Sequence, residues 1–446
     1  MKLLKVVFGT AAVFFGAIAV FGCGSDSSGG KTVAPPPPPP AVTAPGSGLF
    51  AVDCARQLAY VPLDTLDGSG NGQVAVINLA VDPDTTDPRV TIVHLTHPDI
   101  PTGTALDNDD SLIIVVSGQT SGQDGKVDLI DENSNTLVAG SPFAFPPGSQ
   151  SGYFGQVLYN PTTHQAVVAT CDSATCSSGT ADTGFALFDP VAHTFGGIIQ
   201  ANYAETFALN SKTNTVIDAS DDDHSGQIGA VDVPGARACT LSDANIDSDN
   251  DGSSFDNTTN IVVVSNESDN ATVINLNGST YNPAAGTPCT LDEGGTPPNS
   301  VLVPNLPNAT AGSAVDPSTH QAFLISDGEN GVALLQLPKK PVAQIQAGNI
   351  TSESSKLSND PLGAVWGTQG DPYAVAVAAC KKLPLSGFAV NYNFTFLAEV
   401  NLADFKKDPA GISTAPPAGN CAGTTTTVTK CDNGKGVKFF PLPGVK

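Results

Sequence analysis

One unit recurs along most of this chain. It runs as an apolar strand ending in Asp or Asn, a turn, a second apolar strand, a Gly/Asp/Ser turn, a third strand and a less regular fourth. The clearest copies are GSAVDPSTHQAFLISDGENGVALLQLP from Gly312 and GQVLYNPTTHQAVVATC from Gly155, which carry Pro-Ser/Thr-Thr-His-Gln-Ala at the same turn. Matching first strands begin near Phe50, Thr104, Gly155, Thr206, Ser254, Gly312 and Tyr373, at intervals of 54, 51, 51, 48, 58 and 61 residues. A four-stranded propeller blade needs roughly 40–50 residues, and longer loops account for the excess. The expected fold is therefore all-β, a seven-bladed β-propeller of four-stranded antiparallel blades over residues 49–446. With 45 Gly, 35 Pro and only 14% charged residues among many short β-branched runs, long helices are excluded.

Within the unit, Tyr60-Val61, then Val74-Ala75-Val76-Ile77-Asn78-Leu79, and Thr272-Val273-Ile274-Asn275-Leu276 resemble the YVTN and NHL type of repeat. That resemblance covers nearly the whole domain and implies a propeller, but a fold of this kind licenses no particular activity. His164 and His320 recur at one repeat position, which makes them framework residues rather than catalysts. The terminal Gly436-Val-Lys-Phe-Phe-Pro-Leu-Pro reads as the fourth strand of the seventh blade.

The first 48 residues have a different character. Lys2 and Lys5 precede an apolar run from Val6 to Phe21, too short and too close to the start to favour a permanent span. Val20-Phe21-Gly22-Cys23 resembles the lipobox of bacterial lipoproteins, which implies a signal peptide over 1–22 and a lipid on Cys23. Residues 23–48 form a Gly/Ser/Pro linker whose six prolines, Pro35 to Pro40, stay extended because proline fixes φ and supplies no donor. The expected location is the cell envelope, on the periplasmic side or the outer surface of the outer membrane. Loss of the signal removes two lysines and no acid from a chain already at −24. Such a surface repels nucleic acid and anionic headgroups, so the lipid is the only membrane contact expected.

Nine cysteines minus Cys23 leave an even set in an exported chain, where disulfides form. Cys54 ends the first inner strand and Cys380 the seventh, so a bridge between them would lock the ring. Cys171 with Cys176 and Cys421 with Cys431 would close short loops, and Cys239 with Cys289 would join blades four and five. None has haem or metal-motif spacing.

Three groups of residues carry candidate chemistry. Asp247, Asp249 and Asp251, followed by Gly252, place hard oxygens around a turn as the start of a calcium loop does, with Asp256, Asp243 or Asn245 to complete the shell. Thr258 stands where an EF-hand needs its bidentate Glu, so a structural Ca²⁺ loop is expected rather than an EF-hand. Asp221-Asp222-Asp223-His224 reads as a turn whose Asp side chains cap backbone donors. The connectors from each fourth strand to the next first strand gather on one face and carry His97, Tyr153, Phe154, Tyr203, Glu205, Trp366 and Tyr373, a candidate platform for a protein, peptide or carbohydrate ligand. A noncatalytic binding or scaffold module is the leading expectation. The alternatives are a calcium-dependent hydrolase of the lactonase kind, with Glu205 in the channel, and an accessory subunit of a surface assembly.

Overall fold

A computed structural model describes residues 49–80, 90–118, 123–152, 155–172, 182–201, 206–219, 227–233, 237–242, 245, 247, 250–266, 268–277, 300–306, 310–326, 332–355, 372–378, 380, 385–391, 396–407 and 437–442. Blade 1 consists of β1 (Ala51–Asp53), β2 (Leu58–Leu63), β3 (Gln73–Asn78) and β4 (Val90–His94). Blade 2 has β5 (Pro101–Asp107), β6 (Leu112–Ser117), β7 (Lys126–Asp131), and an outer strand in two pieces, β8 (Thr136–Leu137) and β9 (Phe143–Ala144). Blade 3 has an inner strand in two pieces, β10 (Ser149–Ser151) and β11 (Val157–Asn160), then β12 (Gln165–Asp172), β13 (Asp182–Asp189) and β14 (Thr194–Gln200). Blade 4 is β15 (Thr206–Asn210), β16 (Thr215–Ala219), β17 (Gln227–Asp232) and β18 (Arg237–Ser242). Blade 5 is β19 (Asn250–Asp256), β20 (Ile261–Asn266), β21 (Asn270–Asn275) and β22 (Ser300–Pro304). Blade 6 is β23 (Thr310–Asp316), β24 (Gln321–Ser326), β25 (Val332–Gln336) and β26 (Thr351–Ser355). Blade 7 is β27 (Pro372–Ala378), β28 (Ser386–Asn391), β29 (Phe396–Asn401) and β30 (Val437–Pro441), with the short helix α1 (Leu402–Lys407) after β29.

Every blade is antiparallel, with its strands side by side in chain order. The first strands of neighbouring blades approach one another, β15 with β19, β19 with β23 and β23 with β27, so they ring the axis. The repeat anticipates this ring and the closing role of β30. It misses the two broken strands. In blade 3 the chain re-enters at Gly155, whose φ is +65° and whose Cβ, if present, would stand 2.1 Å from the Thr102 side chain. Only glycine fits there, and β10 lies upstream of the start that the repeat marks. In blade 2 the outer strand breaks around a cis Ser141-Pro142 bond.

Seven apolar clusters occupy the seven boundaries between blades. Alternate residues of one strand serve opposite boundaries: Val262 and Val264 of β20 face blade 4, whereas Ile261 and Val263 face blade 6. This is why the second strands read as unbroken apolar runs rather than as alternating ones. Both of their faces are covered. Each fully buried Val, Ile or Leu contributes roughly 1.5–3 kcal/mol, so the stability of a blade resides in its two neighbours. Tyr60 of the repeat motif is fully buried between blades 1 and 2, its hydroxyl 3.4 Å from Asn135 Oδ1.

The ring closes where the two ends of the domain meet. All four strands of blade 7 come from the C-terminal side, so blades 1 and 7 share no strand. Their boundary is filled by Phe50, Val52, Val61 and Ile77 against Phe388, Val390, Leu397 and Phe440. Cys54 and Cys380 form a disulfide across it, with Cα atoms 4.6 Å apart. Breaking this bond, by reductant or by the paired substitution Cys54→Ser and Cys380→Ser, is expected to cost roughly 2–4 kcal/mol. The check is thermal melting, in which reductant should lower the midpoint of the wild type more than that of the double variant.

Candidate functional site

The turn between the first and second strands builds one face of the ring. It opens on Asp53, Asp107, Asn160, Asn210, Asp256 or Asp316 and ends four residues later on Gln57, Ser111, His164, Asn214, Asn260 or His320, all with positive φ. The opening side chain accepts the amides two and three residues on, as Asp256 Oδ1 does from Thr258 N at 2.9 Å and Thr259 N at 3.2 Å. Short polar side chains suit this job because they mimic a backbone turn.

The closing residue of one turn then reaches the opening residue of the preceding blade. Asn160 donates to Asn214 at 2.8 Å, Asn210 to Asn260 at 3.2 Å, and His320 Nδ1 stands 2.8 Å from Asp256 Oδ2. Between blades 2 and 3, Asp109 accepts the Tyr159 hydroxyl at 2.8 Å with His164 Nδ1 at 3.0 Å. Between blades 1 and 2, Arg56 binds Asp53 at 3.1 Å and also Glu132. The recurring histidines are thus inter-blade ties, as their shared repeat position implies. The Cys54–Cys380 bond lies on the corresponding turn at the closure.

Inside this collar lies a cavity of about 230 Å³. Phe50, Leu106, Tyr159, Leu209, Phe255 and Val315 line it, one from each of blades 1 to 6. Five of these six stand immediately before the opening residue of their turn. The residue immediately after it forms the rim: Asn108, Ser211 and Asn257 with Pro161 and Pro317. Rim residues are half-buried or exposed whereas Phe50, Leu106 and Val315 are buried, so the cavity opens on the turn face. Neither sequence position announced itself, because an apolar residue before an Asx turn looks like ordinary strand.

The opposite face was the expected ligand platform. Tyr153, Phe154, Tyr203, Glu205 and Trp366 lie outside the described residues. Tyr373 sits where the register of β27 slips between Pro372 and Ala374, the same irregularity that β5, β19 and β23 carry at Thr102, Asp251 and Ala311. His97 is not a surface group: it is 5% exposed, with Nε2 2.6 Å from Asp128 Oδ2 and Nδ1 3.0 Å from Asp99 Oδ2. Lys126 Nζ lies 2.7 Å from the same Asp99 oxygen. Burial disfavours a charge on His97, but hydrogen bonds to Asp128 and Asp99 prevail and push the imidazole up to about 9. Asp99 is held below the ordinary carboxylate range by its bond to His97, against burial, and by Lys126.

In the proposed calcium segment, Asp243 and Asp249 lie outside the described residues and Asp251 lies in β19. Asp247 Oδ2 accepts Ser268 Oγ at 2.5 Å and Asn270 Nδ2 at 2.7 Å, and Asn245 Nδ2 donates to Ser300 Oγ at 3.1 Å. These residues strap the connector onto blade 5. Asp256 stands at the far end of the seven-residue β19, about 20 Å away at the rise of a strand, with its carboxylate committed to the turn and to His320. Any ion in the loop is therefore held without Asp256. Among the described residues no group of three His, Cys, Asp or Glu side chains is arranged to hold a metal ion. Cys171 is disulfide-bonded and Cys239 lies in β18, while Cys176, Cys289, Cys421 and Cys431 lie outside the described residues, as does Asp221-Asp222-Asp223-His224.

Fold and site together define a seven-bladed β-propeller with a small axial cavity on its turn face. No protein-family model matches the chain, and no curated protein is similar to it in sequence. Among solved structures it is similar to the hydrazine synthase of Kuenenia stuttgartiensis, at 14% identity over 66% of this chain and 77% of that one, with a TM-score of 0.45.

Two pH effects follow from these bonds. Glu132 is pushed up to about 8 by burial and by neighbouring Asp53, against Arg56. Both it and His97 have raised folded values, so each contributes stability that is complete below its unfolded value and lost as pH rises through the folded one. The melting midpoint should fall from about pH 5 to about pH 9, with Glu132→Gln flattening the lower part of the fall and His97→Gln the upper. Asp256 has the opposite sign. Burial would raise it, but bonds from Thr258, His320 and Thr259 hold it low, so its contribution is lost as pH falls through that lowered value. His320→Ala should cost about 1–2 kcal/mol at neutral pH. His320→Asn, the residue found at positions 214 and 260, should retain most of that stability in denaturant titrations.

Proposed function

We propose that this chain is a lipid-anchored cell-envelope lipoprotein of the YVTN/NHL repeat type that acts as a noncatalytic binding module, with the axial cavity as its binding site. The single observation that carries the binding reading is the cavity wall. Its described residues offer apolar surface, hydroxyls and amides, which hold a ligand, and none is a carboxylate, imidazole or thiol. The hydrolase alternative relied on Glu205, which lies outside the described residues. The large exposed apolar side chains among the described residues, Leu66, Val191 and Leu302, fall on three different blades, which favours a small ligand over a broad docking face.

The anchor reading rests on Val20 to Cys23 and on the proline run that would hold the ring away from the bilayer. Cys23→Ala should release the protein from the membrane fraction, and the intact mass of the extracted wild type should carry a diacylglyceryl group on Cys23. A soluble wild type would reject the anchor. The calcium reading of residues 243–251 predicts a lower melting midpoint after complete chelation, and an unchanged midpoint rejects it.

A further inference from the structure

The wall of the cavity also restricts what it accepts. Around the axis, Phe50, Tyr159 and Phe255 from blades 1, 3 and 5 alternate with Leu106, Leu209 and Val315 from blades 2, 4 and 6. Aromatic and branched aliphatic side chains therefore alternate around any occupant. A flat ring gains from both, since a ring face packs on aromatic and aliphatic surface alike.

Polar contacts come from two sources. First strands pair with second strands on one side only, so their other edges present backbone amides and carbonyls toward the axis. Some of these are taken: Ala51 N donates to Thr104 Oγ1 at 2.9 Å, and the Gln156 carboxamide binds both backbone groups of Phe207, donating to its carbonyl at 2.7 Å. The second source is the ring of hydroxyl and amide groups at Asn108, Ser211 and Asn257.

Charge is handled differently. Asp107 and Asp256 adjoin wall residues, yet both are 0% exposed and turned into the amides of their own turns. No described wall residue carries a formal charge. An anion would enter against the field of a chain with net charge −24, and the ammonium at the mouth, Lys212 Nζ, is bound to the Asn257 carbonyl. A cation would leave water for a wall that is half aliphatic, and the carboxylate beside the rim, Asp109, is engaged by Tyr159 and His164. An apolar cavity of about 150 Å³ holds benzene, so about 230 Å³ accommodates one ring with a short substituent.

Building on the binding reading, we infer that the axial cavity selects a small neutral molecule with one flat ring and a hydroxyl or carbonyl substituent, admitted through the turn face between Asn108, Ser211 and Asn257. The ring lies among the alternating aromatic and aliphatic side chains. The substituent meets the rim or a strand edge.

The test uses three probes of equal size, benzyl alcohol, benzoate and benzylammonium, titrated into the full-length protein and followed by ligand-observed NMR. Benzyl alcohol should bind at least about tenfold more tightly than either charged probe. Ser211→Trp places an indole at the mouth and should weaken benzyl alcohol at least about tenfold at an unchanged melting midpoint. Asn108→Trp, on a different blade, makes the same test should the first variant fail to fold. A charged probe binding as tightly as the alcohol overturns the neutral class while leaving the binding reading intact. Undiminished affinity in both folded rim variants overturns the location. No binding by any of the three probes overturns the binding reading itself.

Discussion

The second and third strands of each blade are apolar on both faces, and no blade can bury both by itself. Ile113 and Val115 of β6 need blade 1, and Ile114 and Val116 need blade 3. This two-sided demand obliges the sheets to stack, and the twist between stacked sheets turns the stack into a ring. It also makes closure the critical step. An unclosed stack would leave two blades, 1 and 7, each with an exposed apolar face, so these two, furthest apart in the chain, must meet.

Apolar packing is nondirectional and would tolerate some slip between blades. The polar ties on the turn face remove that freedom. Asn160–Asn214, Asn210–Asn260 and Asp256–His320 each join the opening residue of one turn to the closing residue of the next. The same Asx side chains therefore shape their own turns and set the spacing of neighbouring blades. Because the cavity wall and rim are the residues directly before and after these Asx positions, the collar that registers the ring also shapes the mouth. At the boundary of blades 1 and 7 a covalent bond takes this role.

Much of the architecture was legible because the periodicity is carried by side chains that do local work. An Asp or Asn ending an apolar strand, followed four residues later by His, Asn, Gln or Ser, marks a turn whose chemistry is contained within five residues. The Cys54–Cys380 pair was readable from the same periodicity, since equivalent ends of the first and last inner strands must adjoin in a closed ring. What escaped depends on partners far apart in sequence. His97 looked like a face residue because nothing nearby in the chain says that Asp128, in β7 beyond two intervening strands, stands 2.6 Å away. Asp256 looked like part of an acidic loop because its spacing matched. It is separated from that loop by a full strand, and its oxygens serve a turn instead.

By itself the sequence determined the number of blades, the order of strands within them, the turn chemistry and the pair of cysteines at the closure. Each of these follows from local periodicity and from the need to cover two apolar faces. Only the tertiary structure decided which end of the ring carries the cavity, that its wall alternates aromatic with aliphatic side chains, and that His97 is buried in an ionic cluster. Those properties arise from the angular order of blades around an axis, which brings together residues about fifty positions apart and leaves no trace in any single repeat.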